Sequence, residues 1–271
     1  MEIVKLATRW PLLTFFTLAY VLAWAAWAPL VLSRAGLGLL PIDLGLPYIV
    51  PGTYAPLAAA LITQRLTTGH WRIGPLVGTW PRFFAGIAGG ATLVTAAFIL
   101  LPALWVFQDG FLDLAWAGVA FYPERIAVAA AQAGPVGEEP GWRGFALPRL
   151  QAVHQPVTAA TILGVLWAAW HLPLFLVSGW AGLPFPVYVL LVVALGFIVN
   201  FAFNVSRASI GVAIVTHAVF NASSAIMGRV FTGTEIRATV PLSVVLVSSF
   251  VLVATVVTLV TRGRLGHIRP A

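Results

Sequence analysis

Apolar runs of about 20 residues recur along the chain, and a run that long with no charged face has few ways to fold. Residues 187–203, broken only by Asn200, are apolar on every face. In a bilayer only helices and closed barrels satisfy their own backbone, and a barrel needs short strands alternating apolar with polar. These runs do not alternate. The sequence therefore predicts an all-α, multi-pass transmembrane bundle of about eight helices, with spans at 11–33, 47–66, 82–107, 123–147, 157–178, 184–204, 209–228 and 241–261. The fourth is interrupted by Gly134, Pro135, Gly137, Pro140, Gly141 and Gly144, and a break near Pro135 is expected; broken helices survive at membrane depth where they line a cavity.

Composition sharpens this. Of 271 residues, 60% are hydrophobic and only 8% charged, and mean hydropathy is +0.96. The net charge of +7 invites a nucleic-acid reading, but the 15 basic residues are spread over short loops and both ends, so nucleic acid is not an expected partner. They read instead as helix-end anchors. With the N-terminus cytoplasmic, ten basic residues lie inside (Lys5, Arg9, Arg65, Arg72, Arg82, Arg149, Arg207, Arg262, Arg264, Arg269) and four outside (Arg34, Arg125, Arg229, Arg237), which places both termini in the cytoplasm of a cell-membrane protein. The first run, after Lys5 and Arg9, exceeds the roughly 7 to 15 apolar residues of a cleaved leader and reads as a retained span. No repeat or linker divides the chain, so residues 1–271 read as one domain.

Against this background Glu138, Glu139 and Arg143 stand out, because an ionisable residue at mid-span costs roughly 2.5 to 3.5 kcal/mol and must face the bundle interior with a partner. Only His171 on the fifth span and His217 with Asn221 on the seventh join them at depth. Glu139 and Arg143 stand at i and i+4 with the acid first, the favourable order for an ion pair, while Glu138 lies about 100° around the helix. His217 and Asn221 share the same spacing, as do Trp167 and His171. At about 1.5 Å per residue the three helices bring these groups to depths of roughly 12 to 21 Å, in or near the cytoplasmic half, around a polar cavity between spans 4, 5 and 7.

Such a cluster suits water-mediated hydrolysis of a peptide bond. Glu138 can act as general base on water, His171 can hold that water or bind a metal, and His217 and Asn221 can offer N–H donors to an oxyanion. Other protease chemistries fail on inventory. The chain has no Cys, no His-Glu-x-x-His and no Gly-x-Ser-x-Gly, and Asp43, Asp109 and Asp113 fall in expected loops. Asn200 and Asn204 share a face of the sixth span and read as interhelical hydrogen-bonding groups.

Glu138-Glu139-Pro140-Gly141-Trp142-Arg143 resembles the E-E-x-x-x-R motif of the CAAX protease and bacteriocin-processing family of intramembrane endopeptidases. Trp167-Ala168-Ala169-Trp170-His171 is similar to its F-x-x-x-H motif, with Trp in place of the usual Phe, and His217 to Asn221 to its H-x-x-x-N motif. The motifs follow in order between positions 138 and 221. The resemblance implies Glu138 as base, His171 as its partner on the water, His217 and Asn221 as oxyanion donors, and Arg143 orienting the glutamates. It also implies a membrane-embedded or lipidated substrate, cut near an apolar C-terminus. A zinc held by Glu138, His171 and His217 with a fourth site for water is one arrangement; a Glu-activated water with no ion is the simpler one. A non-proteolytic binding or immunity protein on the same fold is the alternative, and a proton-relay transporter is disfavoured by the lack of inverted repeats.

Overall fold

A computed structural model describes residues 2–109, 120–132, 134–180, 182–230 and 242–268, and their regular elements are all helical. A short helix α1 (Glu2–Arg9) precedes α2 (Pro11–Leu32); a turn of 3-10 helix (Leu46–Ile49) leads through α3 (Val50–Thr53) into α4 (Ala55–Thr68), and α5 (Trp80–Asp109) follows. The fourth expected span is α6 (Tyr122–Gln132), α7 (Pro135–Gly141), a π-helical turn (Trp142–Ala146) and α8 (Leu147–Val153). Then come α9 (Pro156–Trp170), α10 (Phe185–Val205), α11 (Ile210–Val230) and α12 (Leu242–Val260). Proline opens α2, α4, α7, α9 and α10, where its missing N–H costs no hydrogen bond and its fixed φ suits the first turn.

Among the described residues, six helices are long and apolar enough to cross a membrane: Pro11–Leu32, Leu46–Thr68, Trp80–Ile99, Pro156–Leu176, Phe185–Val205 and Ser243–Val260. Of the eight expected spans, the seventh corresponds to the shorter apolar helix Ile210–Ala225 and the fourth is broken. The break falls where the glycines and prolines put it. Gly134 holds φ +107, a conformation open to glycine and strained for other residues, and α7 restarts at Pro135. Farther on, Pro140 and Pro148 lack the N–H that an α-helix would use at those positions, and the ladder between them relaxes into the π turn. The span also runs past its expected end at 147, to Val153.

Close helix approach depends on small residues, since lipid supplies no hydrophobic drive between helices. Ala19, Ala23, Ala59, Ala60, Ala159, Ala160 and Ala168 are all buried. At Gly137 and Gly141, one turn apart on α7, an added Cβ would stand 2.5 Å from the carbonyl oxygens of Thr53 and Pro56, so α7 lies directly on the α3–α4 backbone. Large apolar side chains such as Leu13, Val21, Leu259 and Val260 point outward, as lipid-facing residues do. Of the tryptophans, Trp27, Trp142, Trp167 and Trp170 are core residues, while Trp10, Trp71 and Trp80 are exposed.

The bundle has two distinct ends. At one, Arg149 on α8 donates to Gln64 on α4, Asn204 on α10 donates to the Leu265 carbonyl beyond α12, and the 70–79 connection bonds to the start of α11. This is the basic end. At the other, Ser178 after α9 bonds to Ala35 after α2, and Tyr122 at the start of α6 meets Ser223 near the end of α11.

Candidate active site

The restart at Pro135 puts Glu138 in the first turn of α7, and the approach of α7 to α4 turns both glutamates toward α9, α10 and α11. Glu138 is 3% exposed, and Glu139 and Arg143 are fully buried. The ion pair read from the i, i+4 spacing is present: Arg143 Nη1 donates to Glu139 Oε1 at 3.0 Å. The same oxygen accepts from His217 Nδ1 at 2.8 Å. Arg143 Nε donates to Asn200 Oδ1 at 3.0 Å, so Asn200 is the interhelical group expected; Asn204 bonds instead at the basic end. Glu139 therefore ties α7 to α11, and Arg143 ties it to α10. The site's structural charge is consumed in that frame.

Glu138 is bound differently. Its Oε2 accepts the Trp167 indole N–H at 2.6 Å and lies 3.4 Å from that of Trp142, and among the described residues no cation hydrogen-bonds to it. Trp167 does more than supply a donor. Its ring lies under the Arg143 guanidinium at 4.4 Å, it meets His217 edge-on at 5.0 Å, and its backbone carbonyl accepts from His171 Nδ1 at 2.9 Å. Of the residues that shape the site, this is the one that spacing undervalued, although its place one turn before His171 was visible.

These contacts fix both histidine tautomers. A carbonyl and a carboxylate accept and do not donate, so Nδ1 carries the hydrogen in His171 and in His217, and Nε2 is the free ring nitrogen of each. In the neutral ring Nε2 is an acceptor; in the imidazolium it is an N–H donor. His171 is wedged between Trp180, stacked at 5.5 Å, and Trp170, edge-on at 4.7 Å.

Glu138, Trp167, His171, His217 and Asn221 line one cavity of about 820 Å³. Its remaining wall is largely apolar, from Trp27, Leu46, Val50, Leu191, Leu195 and Phe220 among others. All six residues singled out by spacing thus fall in one region, four on the cavity and two, Glu139 and Arg143, behind it. Their depth differs from the expected one. Because the fourth span continues to Val153, Glu138 lies 15 residues, roughly 22 Å, from its basic end, farther from that end than the interrupted pattern implied. Asp109, expected in a loop, is the last residue of α5, and Asp113 lies outside the described residues. His70 and His154 are exposed, and His267 is half-buried at the basic end.

Glu138, His171 and His217 share the cavity without converging on a point. Among the described residues no three His, Asp or Glu side chains stand close enough together to hold a metal ion.

A family model described as type II CAAX prenyl endopeptidase, Rce1-like, matches residues 123–223, which hold all three motifs and every residue of the polar cluster. The chain is also similar to the CAAX prenyl protease 2 of Methanococcus maripaludis, 33% identical over 95 residues, or 31% of this chain and 34% of that protein. The match thus spans about a third of that relative's length. With the motifs in their order and their side chains gathered around one cavity, residues 123–223 of this multi-pass membrane chain are similar to the type II CAAX prenyl endopeptidase, Rce1-like, family.

Proposed function

We propose that the chain is an intramembrane endopeptidase in which Glu138 activates a water molecule against a peptide bond of a membrane-associated substrate. The observation that carries the reading is the division of labour between adjacent glutamates: Glu139 is held by Arg143 and His217, while among the described residues Glu138 accepts from indole N–H groups and sits on the cavity. A carboxylate held by N–H donors and not neutralised by a cation keeps its capacity to take a proton.

In this reading Glu138 removes one proton from water as the oxygen attacks the carbonyl carbon, and His171 Nε2 accepts the water's other O–H and orients it. The developing oxyanion is met by the Asn221 amide and by His217 Nε2 in its imidazolium form, donors of the kind worth about 10² to 10³ in kcat. Glu138 then passes its proton to the leaving nitrogen and the C–N bond breaks, leaving a carboxylic acid and an amine. Behind these groups, Glu139 and Arg143 hold Glu138 and His217 in register.

The substrate offers an apolar segment next to the scissile bond, matching the cavity wall. The name of the Methanococcus maripaludis protein extends this to a lipidated, CAAX-like C-terminus as one form that segment can take. Sequencing the C-termini of membrane proteins from cells carrying the wild type or Glu138→Gln tests the reading: truncated C-termini should appear with the wild type alone. Identical sets of C-termini would contradict it.

A further inference from the structure

We infer that Tyr188 and Trp180 form a subsite that positions the substrate, donating an O–H and an indole N–H to a backbone carbonyl next to the scissile bond; this rests on the proteolytic reading for the word scissile. The demand for donors comes from the membrane. A peptide bond is open to attack where its segment is unwound, and unwound backbone at membrane depth loses its helical partners while lipid offers none. The protein must then supply them. Glu138, His171, His217 and Asn221 are committed to the water and the oxyanion, so a neighbouring carbonyl needs other groups.

The first observation is where unspent donors remain. Among the tryptophans lining the cavity, Trp27 gives its N–H to the Ile49 carbonyl at 2.8 Å and Trp167 gives its own to Glu138 at 2.6 Å. Trp180 also lines the cavity, and its N–H has no acceptor among the described residues. The tyrosines divide in the same way. Tyr20 donates to the Leu166 carbonyl, Tyr54 donates to the Ala131 carbonyl at 3.0 Å, and Tyr122 pairs with Ser223 at 2.7 Å. Tyr188 is on the cavity wall, and its hydroxyl has no hydrogen-bond partner among the described residues. Phenols and indoles that leave water ordinarily find one. Neither polar atom is sealed inside the protein, and the space that both residues line is the cavity.

The second observation is that the two rings are held firmly while their polar ends are not. Tyr188 meets His171 edge-on at 5.5 Å, Trp180 stacks on His171 at 5.5 Å, and the two meet each other at 5.4 Å. Phe175 packs edge-on against both at 5.2 Å. Aromatic contacts alone thus fix the pair, and they fix it on the residue that orients the water. At about 3.3 Å per extended residue, the carbonyl it takes lies within about two residues of the scissile one. Tyr188 comes from the first turn of α10 and Trp180 from the connection after α9, so the segment is registered against both elements. Farther along α10 the wall becomes aliphatic, with Leu191, Val192 and Leu195, and offers no side-chain donor.

The test uses the full-length protein in detergent and an internally quenched apolar peptide. A set of analogues replaces one backbone amide at a time, on either side of the scissile bond, by an ester, whose carbonyl is the weaker acceptor. Tyr188→Phe removes the hydroxyl and keeps the ring, so its melting temperature should match the wild type. Its KM should rise about 2- to 10-fold with kcat within about twofold, the pattern of binding lost equally from ground and transition states. Trp180→Phe keeps a ring on His171, loses the N–H and should shift KM in the same direction. For one ester analogue the effect of Tyr188→Phe should vanish, because the two changes remove the same bond. An unchanged KM in either variant, a fall in kcat alone, or an equal Tyr188→Phe effect with every analogue would overturn the inference. Binding separates the subsite from the chemistry. In a Glu138→Gln background the intact peptide should bind, and Tyr188→Phe should weaken its Kd by the same factor. Weakened binding with no cleavage by the wild type supports the subsite and counts against proteolysis. Cleavage by the wild type with KM and Kd unmoved by Tyr188→Phe counts against the subsite alone, and a peptide neither bound nor cleaved overturns both.

Discussion

Replacing Trp167 by Phe keeps a ring under Arg143 and the carbonyl that orients His171, but removes the N–H that reaches Glu138 Oε2 at 2.6 Å. A hydrogen bond to a charged group is worth about 1.5 to 3 kcal/mol, so Trp167→Phe should lower kcat about 10- to 100-fold with little change in thermal unfolding. Arg143→Met should behave in the opposite way. It leaves Glu139 buried without its cation, a change worth about 3 to 5 kcal/mol in stability, which a melting curve in detergent would register before any assay. The residue scale also shows what sequence can and cannot disclose. The Glu139–Arg143 pair was legible because both partners lie on one helix, where 3.6 residues per turn dictates the contact. The His217–Glu139 bond joins residues 78 apart and the Trp167–Glu138 bond residues 29 apart, and no local periodicity specifies how separate helices are rotated about their axes.

Among the elements, the fourth span positions both glutamates. Its glycines and prolines announced a break, and the break is real, but their pattern did not say that Gly137 and Gly141 form a contact face. That depends on the α3–α4 backbone, more than 80 residues earlier in the chain. Gly141→Ala places a methyl carbon 2.5 Å from the Pro56 carbonyl oxygen and must push α7 away from α4. Overpacking of this kind costs about 1 to 3 kcal/mol, and because α7 carries both glutamates, activity should fall along with melting temperature. Gly182→Ala, where an added Cβ meets nothing within 4 Å, serves as control and should change stability by no more than about 0.5 kcal/mol. Equal destabilisation by the two would mean that the α7–α4 approach does not set the site. The π turn was not legible either, since it arises from two prolines acting on one ladder and leaves no hydropathy signal.

For the whole molecule, hydropathy alone gave the class and nearly the number of helices, because a bilayer permits so few alternatives. It gave depth less well. The interrupted fourth span looked shorter than it is, and a misplaced end moves every depth counted from it. What the assembled bundle adds is asymmetry: a buried polar frame of Glu139, Arg143 and Asn200 behind Glu138, and a largely apolar cavity in front of it. Delivery of water to a peptide bond by Glu138 is tested by cleaving a membrane substrate in ¹⁸O-enriched water. Mass spectrometry of the new C-terminus should find one ¹⁸O with the wild type and no product with Glu138→Gln. Cleavage by Glu138→Gln at the wild-type rate would contradict the account.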